Sequence, residues 1–145
     1  MILFLLLALA AGVLLPVQAG LNAQLRVALG SPIAAAFISF LVGTAALGIA
    51  TLLLRVSFPV GRAWAATHPV QWSGGMIGAV YVLAAVVLAP KLGAGTLVAA
   101  VVAGQMVTSL LLDQYGLIGF PIHPLSPLRL LGAVLVIAGV VLIQR

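Results

Sequence analysis

Gln105, Ser109 and Asp113 recur every fourth residue in the apolar segment GQMVTSLLLD, with Thr108 beside them. On a helix this spacing puts them on one face. Polar groups cost free energy in hydrocarbon unless they face protein or water, so the stripe is expected to point inward, with Gln105 and Ser109 as substrate-binding candidates. Asp113 is the only acidic residue in the chain. It is expected to serve either as an ion-coupling group or as half of a salt bridge. At the carboxyl end of its helix it faces the negative end of the dipole, a place that suits proton coupling or calls for an arginine partner. Arg55, Arg62 and Arg129 are the candidates for that partner.

A second stripe, Gln18, Asn22 and Arg26, has the same spacing and follows Pro16. Proline inside a helix removes a hydrogen bond and usually kinks it. Two readings stay open: the helix is leaving the membrane there, or Gln18 and Asn22 line a substrate site beside freed backbone carbonyls. Tyr81 either lines a cavity or fills a core.

The residue inventory argues against an enzyme. One acid, two histidines and no cysteine assemble neither an acid/base pair nor a metal centre with ease. His68 precedes Pro69 with no second ligand at metal-binding spacing, and the one remaining option is a surface His–Asp relay through His68 or His123. No cofactor and no metal are expected.

These side chains must be held by membrane helices. The chain has 145 residues, 65% hydrophobic and 5% charged, with a mean hydropathy of +1.40. Such a composition cannot keep a soluble surface around a core, so the chain reads as an all-α integral membrane protein. Its net charge of +5 comes from cations scattered singly between apolar runs. They read as interface anchors and topology signals, and no nucleic-acid partner is expected.

A single membrane domain over residues 1–145 is expected, with spans at about 2–21, 32–54, 71–89, 94–112 and 128–143. The first run lacks the basic start of a signal peptide, although Val17-Gln18-Ala19 resembles a cleavage site. Gly30-Ser31-Pro32 reads as a turn with Ser31 as N-cap and Pro32 at the first helical position. Ala35, Ser39 and Gly43, Gly74 and Gly78, and Gly132 and Gly139 offer faces for close helix packing. Trp64 and Trp72 are placed as interfacial aromatics. Pro90-Lys91-Leu92-Gly93 reads as a tight turn joining an antiparallel pair.

Five spans put the termini on opposite sides. Arg55, Arg62 and Arg129 then share one face with the amino end, and Arg26, Lys91 and Arg145 lie on the other. A balanced count gives a weak or absent orientation preference and predicts insertion both ways. Such a chain can form a dimer with inverted symmetry, ten spans around one midline cavity. A parallel dimer and a heteromer with a homologous, oppositely inserted half are the alternatives.

The segment PVQAGLNAQL at residues 16–25, then Gly104-Gln105, Asp113 and Gly116-Leu117, resembles the five-span YdcZ-like family of the drug/metabolite transporter superfamily. The resemblance covers nearly the whole chain. It implies a multi-pass protein of the bacterial inner membrane that works as a pair of half-size units. Unlike the four-span multidrug exporters of that superfamily, this chain has no carboxylate in a span centre. The expected function is secondary transport of a small organic metabolite or drug by alternating access; a passive channel or an accessory subunit of a membrane complex is the alternative.

Overall fold

In a computed structural model, which describes residues 1–144, the chain is helical and contains no strand among the described residues. The helices are α1 (Ile2–Leu29), α2 (Pro32–Leu53), a short α3 (Val60–Ala66), a long α4 (Gly74–Tyr115) and α5 (Pro127–Ile143). Two compact units are present, Met1–Pro90 and Lys91–Arg145.

Length explains how these helices serve a bilayer. The α1 and α2 helices and the segment Pro69–Tyr115 are long and apolar enough to cross. A helix rises about 1.5 Å per residue, so the 42 residues of α4 would extend about 63 Å, twice the hydrocarbon thickness. Gly93 divides it, with φ 75° and ψ 163°. That backbone region is open essentially to glycine alone. Each part of α4 is therefore long enough for one crossing, and α5, with 17 residues, is at the short end of the spanning range.

Several boundaries move from their expected places. The first helix runs to Leu29 where about residue 21 was expected, and it stays helical through Pro16. It stops at Gly30, whose φ of 67° is the left-handed conformation that ends helices. Helix α4 continues through Pro90, so the break expected over four residues falls on Gly93 alone. The helix begins at Gly74, after a 3₁₀ turn at Pro69–Ser73, and ends three residues beyond the expected Leu112.

Local chemistry sets the helix starts. Ser31 accepts a hydrogen bond from the Ala34 amide at 3.3 Å, with Pro32 in the first helical position. Ser126 does the same for the Arg129 amide at 3.3 Å, ahead of Pro127. A serine acceptor satisfies an amide that has no partner within the helix, and proline gives up no useful donor there. At the end of α2 the Val56 amide reaches Thr51 O and the Arg55 amide reaches Leu52 O. This double closure puts Arg55 at φ 52°, a position usually filled by glycine.

In the first unit, α1 and α2 pack together, and the core joins Ala35 and Ala36 of α2 to Val82 and Val86 of α4. Leu25, Tyr81 and Leu83 pack against that cluster. Small residues let the backbones approach closely, and a Cβ built on Gly78 would lie 3.5 Å from the Phe40 ring. A Cβ built on Gly43, Gly74, Gly132 or Gly139 would meet nothing within 4 Å, so at these four positions no neighbour among the described residues needs the missing side chain. The Trp64 and Trp72 rings meet with centroids 5.3 Å apart and planes tilted by 58°, and Trp72 donates to Thr67 Oγ1 at 2.9 Å.

In the second unit, Leu97, Leu110 and Ala133 are buried. Gly95 lies beside Ile143, while Asp113 meets Arg129. The later part of α4 and α5 are thus antiparallel neighbours.

Candidate functional site

The sequence-derived site residues fall in two places, one in each unit. On α1, Gln18 is exposed, Asn22 is 7% exposed and Arg26 is half-buried. Asn22 is the buried polar side chain among the described residues. Four residues on, Arg26 Nη1 donates to Val86 O at 3.3 Å. The chemistry of that acceptor follows from Pro90. A helical carbonyl normally accepts from the amide four residues later, and proline has none. Val86 O is therefore left without its helical donor, and Arg26 supplies one from another helix.

The sequence places Arg26 on the Gln18–Asn22 stripe and among the topology cations, but names no partner for it. The clue available in the sequence was its i, i+4, i+8 register with Gln18 and Asn22, together with Pro90 in an apolar span that would otherwise bond Val86. Its position in the last turn of α1 also suits a cation, because the helix dipole is negative there. A recess of about 350 Å³ lies beside it, lined by Ala23, Arg26, Val27, Gly30 and Pro90. Tyr81 packs against the alanine–valine core and is half-buried.

On α4, Gln105, Thr108 and Ser109 are all exposed. Ser109 turns its hydroxyl back onto its own helix, donating to Met106 O at 3.0 Å. Asp113 differs from them. Its Oδ2 accepts from Arg129 Nη2, an ion pair whose side chains are about one-third and one-fifth exposed for Arg129 and Asp113 respectively. Of the three arginines considered for it, Arg129 is the partner.

Around that pair the loop is tied down by backbone. Arg129 Nη1 donates to His123 O at 2.6 Å, the His123 amide donates to Asp113 O at 2.9 Å, and the Leu125 amide donates to Gln114 Oε1 at 2.6 Å. His123 thus takes part through its main chain. Gly116, at φ 60°, starts the return, and a Cβ there would meet Ile122 Cγ1 at 2.8 Å.

Electrostatics give the pair a reason. Asp113 is in the last turn of α4, and Arg129 is in the first turn of α5, so each charge is at the unfavourable end of its own helix dipole. Pairing offsets both. Among the described residues no group of His, Asp or Glu side chains is placed to hold a metal ion.

The geometry is that of a membrane-embedded helical chain with two polar stripes and one closed ion pair. No curated protein and no solved structure matches the chain. The family model described as "Putative inner membrane exporter, YdcZ" matches residues 3–142. It names a kind of protein that moves solutes across the inner membrane, which fits apolar helices carrying polar side chains better than any catalytic arrangement. The chain belongs to the YdcZ family of the drug/metabolite transporter superfamily.

Proposed function

We propose that this inner-membrane protein is a half-size secondary transporter, exporting a small organic metabolite or drug by alternating access between two copies inserted in opposite directions. The observation that carries this reading is the exposure of Gln105, Thr108 and Ser109 on an apolar helix. A primary amide facing hydrocarbon forfeits its hydrogen bonds at a cost of several kcal/mol, about 2 to 7. Ser109 offsets its own cost by bonding Met106 O, but Gln105 has no such return. A second copy or a water-filled cavity is the environment in which that stripe is stable.

Opposite insertion is supported by the equal Lys and Arg count on the two faces of a five-span chain. The family description supports the export direction. In this reading Gln18, Asn22, Gln105 and Ser109 supply hydrogen bonds to a polar or zwitterionic solute. Tyr81 contributes by packing, and Asp113 by holding the end of α4 to the start of α5. Single cysteines at exposed Thr67 and Gln144 test it, probed with a membrane-impermeant maleimide from each side. Labelling of both sites from both sides is expected. Labelling of each from one side only would sink the inverted homodimer.

A further inference from the structure

We propose that Arg26 and the recess beside it form a binding site for an oxyanion, a phosphate or carboxylate group. Three observations meet there. Arg26 is a half-buried cation in a chain whose one acidic side chain is already held by Arg129. A desolvated charge in a membrane protein needs a counter-charge, and the dipole of α1 with one carbonyl supplies only part of it.

The guanidinium is also aimed. Pro90 leaves Val86 O without its helical amide, and Arg26 Nη1 binds that oxygen at 3.3 Å. One of five N–H donors is used, and the planar fork keeps the others for a bidentate acceptor. Finally, the space exists. The recess of about 350 Å³ is bounded by Ala23, Val27, Gly30 and Pro90, small or apolar neighbours that bring no competing acid.

Arg26 lies in the last turn of α1. At that place the oxyanion has two possible sources, a lipid headgroup phosphate or a soluble anion, and both use the same chemistry. The site does not depend on the transport reading, since binding is read without flux.

The test uses the full chain in a neutral maltoside detergent. Its thermal unfolding is followed against phenyl phosphate, against short-chain phosphatidylglycerol, and against the diacylglycerol with the same chains as control. A rise in unfolding temperature with phenyl phosphate identifies a soluble oxyanion; a rise with phosphatidylglycerol alone identifies a lipid headgroup. Arg26→Gln is expected to weaken the effective ligand about tenfold or more, as loss of a charge-assisted bond does, and Arg26→Lys by less. Pro90→Ala keeps the charge and restores an amide for Val86 O. It is expected to weaken binding severalfold in a protein at least as stable. No stabilisation by either anion overturns the site, as does equal stabilisation by the diacylglycerol or undiminished binding by Arg26→Gln. Unchanged affinity in Pro90→Ala overturns the orienting role given to Val86.

Discussion

Arg26 of α1 and Val86 of α4 are joined by a hydrogen bond from guanidinium to backbone oxygen, the oxygen that Pro90 leaves without an amide. A proline that would weaken an isolated helix thus ties two helices together. The link predicts a particular non-additivity. Arg26→Ala strands a carbonyl within the core around Val86, which is itself fully buried, and should cost about 1 to 3 kcal/mol. In a Pro90→Ala background the carbonyl has its own helical donor, and most of that loss should vanish. A double-mutant cycle on detergent-solubilised protein measures the coupling. Equal losses in both backgrounds would show that the bond contributes nothing.

The ion pair of Asp113 and Arg129 predicts an exchange experiment. Neutralising either side alone, Asp113→Asn or Arg129→Gln, leaves one charge at the wrong end of a helix and should lower stability by about 1 to 3 kcal/mol. Exchanging them, Asp113→Arg with Arg129→Asp, puts a cation at the end of α4 and an anion at the start of α5. Unfolding temperature should recover in the exchanged protein well beyond the sum of the single changes. If the exchange is as damaging as that sum, the helix-dipole account fails.

The membrane helices were legible because apolar runs, Gly30-Ser31-Pro32 and the proline–glycine segments each carry a local signal. The division of α4 was legible as well, since a run of that length cannot cross only once. Its location was less so. Proline suggested a turn from Pro90 onward, yet Val86 finds a donor in Arg26 and the helix survives to Gly93. Similarly, α1 continues past Leu21 because nothing from Asn22 to Leu29 breaks a helix, while hydropathy falls there and suggested an end. The Ser126-Pro127 start repeats the signal at Ser31-Pro32 and was readable by the same rule. Which arginine meets Asp113 was not readable, because it depends on the return of the 116–126 loop, a tertiary fact.

That loop return supplies a contrast between two glycines. Gly116 and Gly119 both have positive φ, but only Gly116 is crowded, with Ile122 at 2.8 Å from the position of a Cβ. Gly119→Ala should cost about 1 kcal/mol for the left-handed backbone alone. Gly116→Ala should cost about 1 kcal/mol more, and Ile122→Ala in the same chain should return part of it. Thermal unfolding of the three proteins separates the backbone effect from the clash.

Gly93 predicts a failure of insertion more than of stability. Alanine cannot adopt φ 75° with ψ 163° at acceptable cost, and it favours a helix. Gly93→Ala should therefore extend regular helix across the one place where the chain divides its 42-residue run, leaving a rod about 63 Å long for a core of about 30 Å. Membrane yield and cysteine accessibility at Lys91 report the outcome. Reduced yield, or protection of a Lys91→Cys label that is reactive in the parent, is expected. Normal yield with an unchanged label would mean that Pro90 and Lys91 can make the turn without glycine.

The polar stripe on α4 gives the prediction closest to function. Gln105 is exposed and has no acceptor on its own helix comparable to the one Ser109 finds in Met106. If its amide meets a solute, Gln105→Ala removes a hydrogen bond made in the bound state and should weaken apparent affinity roughly five- to tenfold, about 1 to 1.4 kcal/mol. If it meets a second copy, the same change should lower the dimer fraction and leave the affinity of the remaining dimer alone. Ser109→Ala should cost less affinity than Gln105→Ala, because the Ser109 hydroxyl proton is already committed to Met106 O and only its acceptor side is left for a solute. Cross-linking yield and concentration-dependent uptake into vesicles, measured on the same preparations, distinguish the two. Wild-type values for both would remove Gln105 from the site and leave its exposure in hydrocarbon without a compensating contact.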